Sequence, residues 1–125
     1  MANPNIVNVT TIYGTTTFLT PANTTANVLL SNAASSGLVY KINNIVAANV
    51  DGTNAVSTTV SIDNLAAGAG TDFPIVSTVS VPANASLIVV DKTTAIYLME
   101  NQSIVVTSGT ASKIAYTISY ESIAS

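Results

Sequence analysis

Six carboxylates, five phenols and three amines make up the ionisable side chains of this chain: Asp51, Asp63, Asp72, Asp91, Glu100 and Glu121, then Tyr13, Tyr40, Tyr97, Tyr116 and Tyr120, then Lys41, Lys92 and Lys113. A pair of carboxylates is the one set among them that could run acid–base chemistry. Four of the six (Asp51, Asp72, Asp91 and Glu100) fall in or beside segments that read as turns. Short acidic side chains there bond the local backbone, so a structural role outweighs a catalytic one. Histidine is absent, which removes the commonest general base and any His-dependent triad. No Gly-x-Ser-x-Gly elbow occurs either. The expectation is a protein with no catalytic residues, no cofactor and no enzymatic activity.

Three further patterns resemble sites. Asn49-Val50-Asp51-Gly52-Thr53-Asn54 is rich in oxygen ligands, but it lacks EF-hand spacing and a bidentate Glu, and a turn explains the same residues. Gly68-Ala69-Gly70 has the glycines of a phosphate loop without the Lys and helix that complete one. With no cysteine or histidine, the ligands of most structural zinc sites are missing, and no metal is expected. The tyrosines could stack sugars or bases. Tyr116 and Tyr120 share a strand face with Ile114 and Ile118, so burial in a core or an interface is the simpler reading.

The elements that position these residues read as strands. The chain has 18 Thr, 15 Val and 12 Ile, whose branched side chains suit a pleated surface and disfavour helix. Period-two alternation recurs, and no window shows a helical stripe. Around Asp51-Gly52, the run Ile42, Asn44, Val46, Ala48, Val50 predicts one strand face and Val56, Thr58, Val60, Ile62 another. Asp-Gly between alternating runs is a strong hairpin signal. Other strands are expected over 6–13 and 15–20, separated by Gly14, then over 26–31, 73–81, 86–91, 95–99, 103–107 and 113–121. On the strand over 73–81, Ile75, Val79 and Val81 share one side; Leu65 to Thr71 reads as a flexible loop and a contact tip. The fold class expected is all-β: one antiparallel β-sandwich or barrel of eight to nine strands, jelly-roll or immunoglobulin-like, over 1–125, with 1–14 as an N-terminal arm.

Composition constrains the partners. Charged residues are 7% of the chain, against about 25% in a typical soluble domain. In their place stand hydroxyls and amides, with 14 Ser and 13 Asn beside the threonines. Three lysines, no arginine and a net charge of −3 argue against nucleic acid and anionic membranes as partners. The longest apolar stretch, Ala95 to Met99, is far below the roughly 20 residues of a spanning helix. The first residues carry no basic region followed by an apolar one, so no export signal is expected. A surface this poor in charge reads as one covered by neighbouring subunits.

Several runs resemble a known group. Met1-Ala2-Asn3-Pro4-Asn5-Ile6-Val7-Asn8-Val9-Thr10, the run from Lys41 to Asn54, Val81-Pro82-Ala83-Asn84-Ala85-Ser86-Leu87-Ile88-Val89-Val90 and Tyr116-Thr117-Ile118-Ser119-Tyr120-Glu121 are similar to small virion proteins of marine tailed phages, especially those infecting cyanobacteria. The similarity spans nearly the whole chain and carries no catalytic motif. Where that group tends to have a Glu-Gly-Asp turn, this chain has Glu100-Asn101-Gln102. The resemblance implies a virion structural protein made in the host cytoplasm. The leading expectation is a decoration or cement protein on the capsid exterior, a homotrimer binding the major capsid protein. Its subunit interface is expected at Ile6, Val7, Val9, Ile12 and Tyr13, because terminal strands readily pair with sheet edges. The alternatives are a tail, fibre or head-fibre component binding a host glycan, and a neck or tail-completion protein. Copy number separates these: hundreds per particle for decoration, a few or a dozen otherwise.

Overall fold

A computed structural model describes residues 4–125. The strands are β1 (Thr11–Leu19), β2 (Asn27–Asn32), β3 (Val39–Asn49), β4 (Val56–Asp63), β5 (Asp72–Val81), β6 (Ser86–Val90), β7 (Ile96–Leu98), β8 (Gln102–Ser108) and β9 (Ile114–Ala124). A 3₁₀ turn, Lys92–Thr94, separates β6 from β7 and is capped by the Asp91 carboxylate. One sheet has the order β1-β9-β3-β6, with β7 also on β3; the other has the order β2-β8-β4-β5. All pairings are antiparallel. This is the expected all-β sandwich, and the strand order is that of a jelly roll.

The two sheets close over an apolar core. Ile42, Ile45 and Ala47 of β3 meet Val60 of β4, Ile104 and Val106 of β8, and Ile114, Tyr116 and Ile118 of β9. The core face of β9 follows the alternation expected from sequence. Tyr116 is fully buried, and its hydroxyl bonds the Thr58 hydroxyl and donates to Thr107 O at 3.0 Å. A buried phenol needs such partners, and here they tie β9 to the opposite sheet. Tyr120 is half-buried and packs on Tyr40 with ring centroids 4.9 Å apart.

Three local expectations are corrected. Strands β3 and β4 do not form a hairpin: they lie in different sheets, and residues 50–55 cross between them. Gly52 lacks the positive φ of a type I′ turn. Buried Asn49 fixes the crossing instead, donating from Nδ2 to Asn54 O, Val81 O and Pro82 O while its Oδ1 accepts from Asp51 N–H. Secondly, the core face of β3 is Ile42, Ile45, Ala47 and Asn49, with Asn44, Val46 and Ala48 turned outward. A bulge between Ile42 and Asn44 inserts one residue, which exchanges the faces beyond it. Thirdly, no strand runs over 6–13. β1 begins at Thr11 and passes straight through Gly14, whose surroundings are open. Residues 5–8 form a turn in which Asn5 Oδ1 accepts from Val7 N–H at 3.0 Å and Asn5 O from Asn8 N–H at 3.2 Å. Asn competes with the ladder for backbone donors in this way.

Candidate assembly surface

The side chains with ionisable groups are dispersed over the sandwich, and most serve the turns. Asp51 accepts from the N–H groups of Thr53 and Asn54, bonds that hold its carboxyl below the usual range. The Thr93 hydroxyl and N–H, with Thr94, do the same for Asp91. The calcium-like run Asn49–Asn54 thus directs two of its side-chain oxygens, Asn49 Oδ1 and Asp51 Oδ1, at its own backbone. Among the described residues, no group of three or more acidic side chains converges as a metal site would require.

Asp63 and Asp72 face one another across the β4–β5 pair. Burial pushes the Asp63 carboxyl up, but the bonds from Leu65 N–H and Gly70 N–H, together with the adjacent Asp72 carboxyl, outweigh it and leave Asp63 low. Bonding to Asp63, then burial, then the Asp63 charge push Asp72 up. Asp63 Oδ1 thereby organises the 65–71 loop rather than a reaction. That loop is not the free tip expected from its composition. Ala66 N–H donates to Asn101 Oδ1, Ser31 Oγ donates to Ala66 O, and Ser103 Oγ donates to Leu65 O. Gly68 adopts φ +72°, and a Cβ there would lie 2.9 Å from Val28 Cγ2, so only glycine lets the loop lie this close to β2.

Several exposed apolar side chains lie on the sheet that contains β1, while Val28, Val50, Leu65 and Phe73 are exposed elsewhere. Strand β1 is the edge of that sheet, paired with β9 along one side and, among the described residues, open along the other. Six of its first residues, Thr11 to Thr16, are exposed on both faces, because the second sheet does not extend over them. Ile12 is 51% exposed, Tyr13 65% and Phe18 76%. On the outer face of the sheet, Ile12 stands beside Ile123, which stands beside Val39. Phe18, Thr117, Val46 and Ile88 form a second row further along, with Ile88 also well exposed. Pro4 and Ile6 lie over the first end of this face and, with Val39, Tyr97 and Met99, line an apolar pocket of about 260 Å³.

Four of the five residues expected at an interface are therefore exposed, and Val9 is half-buried. Ile6 lies at the pocket, Val7 projects from the turn at 92% exposure, and Ile12 and Tyr13 sit on opposite faces of β1. The interface expected from sequence left out Phe18 and Met99, and Tyr97 entered only among the tyrosines that could stack a ligand. Phe18 has the same parity as Ile12 within an uninterrupted strand, a signal hidden by treating Gly14 as a break.

The fold and this surface define a jelly-roll sandwich with an apolar, uncharged open edge. No protein-family model matches the chain, and no curated protein matches it. A solved structure from Bacillus endospore appendages, described as disulfide-linked pili, is similar over 92% of this chain and 88% of its own, at 16% identity and a TM-score of 0.48. Likeness of that order bears on neither function nor assembly.

Proposed function

We propose that this chain is a noncatalytic structural subunit of a tailed-phage virion, decorating the capsid exterior and stabilising the head by contact with the major capsid protein. The observation that carries this reading is the open edge strand β1, with Ile12, Tyr13 and Phe18 exposed on a molecule in which few surface groups are charged. Isolated soluble proteins defend such edges with charge, proline or bulges. An undefended one is suited to contact with another chain through main-chain hydrogen bonds and side-chain pairs. The jelly roll recurs in viral capsid proteins, and the sequence resemblance points to the same setting. On a symmetric lattice, many weak contacts of this kind add up to durable attachment. The glycan-binding alternative has less support: the pocket beside Tyr97 is lined by Pro, Ile, Val, Tyr and Met, whereas sugar recognition requires convergent polar groups.

Quantitative mass spectrometry of purified particles tests the reading. The expected result is a copy number in the hundreds, scaling with the major capsid protein. Absence from mature particles overturns it, and a few copies per particle would shift the role to the tail or neck.

A further inference from the structure

The two sheets have four borders, and they are defended unequally. β5 carries Asp72 and Pro74 and is kinked at Thr78, where φ is +51°. β2 has six residues and a register shift between Val28 and Leu30, and the 65–71 loop is bonded to it through Ser31. The border opposite β1 is divided between β6 and β7 by a 3₁₀ turn containing Lys92. β1 has nine residues with no proline, no charge and an unbroken register to β9. Of these borders, β1 alone presents a long regular row of backbone groups to a new strand.

The sequence of β1, Thr-Ile-Tyr-Gly-Thr-Thr-Thr-Phe-Leu, is balanced about its central residue, Thr15. Ile12 lies three residues before Thr15 and Phe18 three residues after it, both on the outer face. An antiparallel strand pair related by a two-fold axis at Thr15 would set Ile12 opposite Phe18 of the second copy, and Phe18 opposite its Ile12. Aromatic with β-branched is a favourable cross-strand pair. The same register sets Tyr13 opposite Thr17 and Gly14 opposite Thr16. Continuity extends beyond β1. The row Val39, Ile123, Ile12 of one copy would run directly into Phe18, Thr117, Val46, Ile88 of the other. Each of the two apolar rows on the outer face thereby gains a continuation that it lacks in the single copy.

Charge permits this contact. The nearest ionisable group on that face is Glu121, opposite Gly14 on β9 and bonded by Asn43 Nδ2 at 3.0 Å. Across β9, β1 and their counterparts, the two Glu121 carboxylates would stand three strand spacings apart, roughly 14 Å. That exceeds the screening length of about 8 Å at physiological salt.

We propose that two copies of this chain associate by antiparallel pairing of β1 with β1 about Thr15, making one continuous ten-stranded sheet. The contact is isologous, so it closes at two copies and leaves no further β1 edge exposed. One edge strand covers an area at the small end of specific interfaces, below about 1,200 Å² in total, so a weak, concentration-dependent dimer is expected in solution. This inference rests on the proposed structural role and assigns the β1 edge to a second copy of this chain, so that the major capsid protein would meet other surfaces of the pair; it is tested separately from presence in the virion.

The chain contains no cysteine, so a single substitution reports register directly. Thr15→Cys places two thiols across the two-fold, where antiparallel Cα separations of about 4.5–5.5 Å permit a disulfide. Thr17→Cys, in the same register, places them about four residues apart along the strands, roughly 13 Å, and out of reach. Under mild oxidation the full-length Thr15→Cys chain is expected to give a cross-linked dimer at least about tenfold faster than Thr17→Cys. Sedimentation of the unsubstituted chain is expected to show a monomer–dimer equilibrium near 100 µM. Thr15→Lys, setting two ammonium groups face to face, should weaken it at least about tenfold. Far-ultraviolet circular dichroism confirms that each variant is folded. Equal cross-linking of the two cysteine variants, or a wild-type monomer at every concentration, overturns the pairing; particle composition then still decides the structural role.

Discussion

Replacing Asn49 by alanine should cost about 4–5 kcal/mol, a large share of the roughly 5–15 kcal/mol that stabilises a domain. Asn49 is 3% exposed and lies where β3 leaves its sheet. Its amide donates to Asn54 O at 3.0 Å, Val81 O at 2.9 Å and Pro82 O at 3.3 Å, and its carbonyl accepts from Asp51 N–H at 2.8 Å. Two amide hydrogens serve three acceptors, so one of these bonds is shared, and the net loss is three bonds at about 1 kcal/mol each. Truncation also strands the carbonyl of Val81, a residue only 1% exposed, which adds about 1–2 kcal/mol. Alanine leaves no group able to reach these acceptors. Asn49→Asp should be worse at neutral pH, because it aims a carboxylate at three carbonyl oxygens. The assay is urea unfolding followed by tyrosine fluorescence and circular dichroism, with the slope m checked for constancy. A loss below about 1 kcal/mol for Asn49→Ala, or an Asn49→Asp chain as stable as the parent at pH 7, would refute the assignment of the crossing to this side chain.

Three other outcomes follow from the same structure. Tyr116→Phe should lose about 1–2 kcal/mol through the bonds to Thr58 and Thr107, and a double-mutant cycle with Thr58→Val should show coupling; strict additivity would contradict the pairing. Asp51 and Asp91 are held low in the folded chain, so their stabilisation is present above their unfolded pKa near 3.9 and fades as pH falls through the folded values. Asp72 is raised and behaves oppositely: its stabilisation is full below about pH 3.9 and is lost as pH rises through its folded value. Asp72→Asn should therefore gain stability relative to the parent as pH increases, and a difference independent of pH in urea midpoints would contradict the raised Asp72 carboxyl. Gly14→Thr should raise stability by about 0.5–1 kcal/mol, since nothing lies within 4 Å of a Cβ there and glycine weakens a strand interior; a destabilised variant would mean that β1 turns at Gly14 after all.

Fold class, most strand positions and the scarcity of charge were written into residue types and their alternation. β9 shows why: Ile114, Tyr116 and Ile118 keep a strict period of two along a strand without a bulge, so the core face could be read directly. β3 carries an equally clear alternation, but one inserted residue near Asn43 reverses its faces, and no local signal marks a bulge. The turn at Asp51-Gly52 was evident as a turn. Whether it joins neighbours in one sheet or crosses to the other depended on Val81, Pro82 and Asn84, some thirty residues away, which receive Asn49 and bond Asp51 O. A chain reversal costs the backbone much the same in either case, so pairing is decided by long-range burial and hydrogen bonding. The assembly surface divides likewise. Ile12 and Tyr13 were legible as apolar residues near an end of the chain, whereas the exposure of Phe18 arises because it lies on the outer face of a border strand, turned away from the second sheet. Alternation fixes which residues share a face, and only the packed arrangement of both sheets determines which faces and edges remain open to a partner.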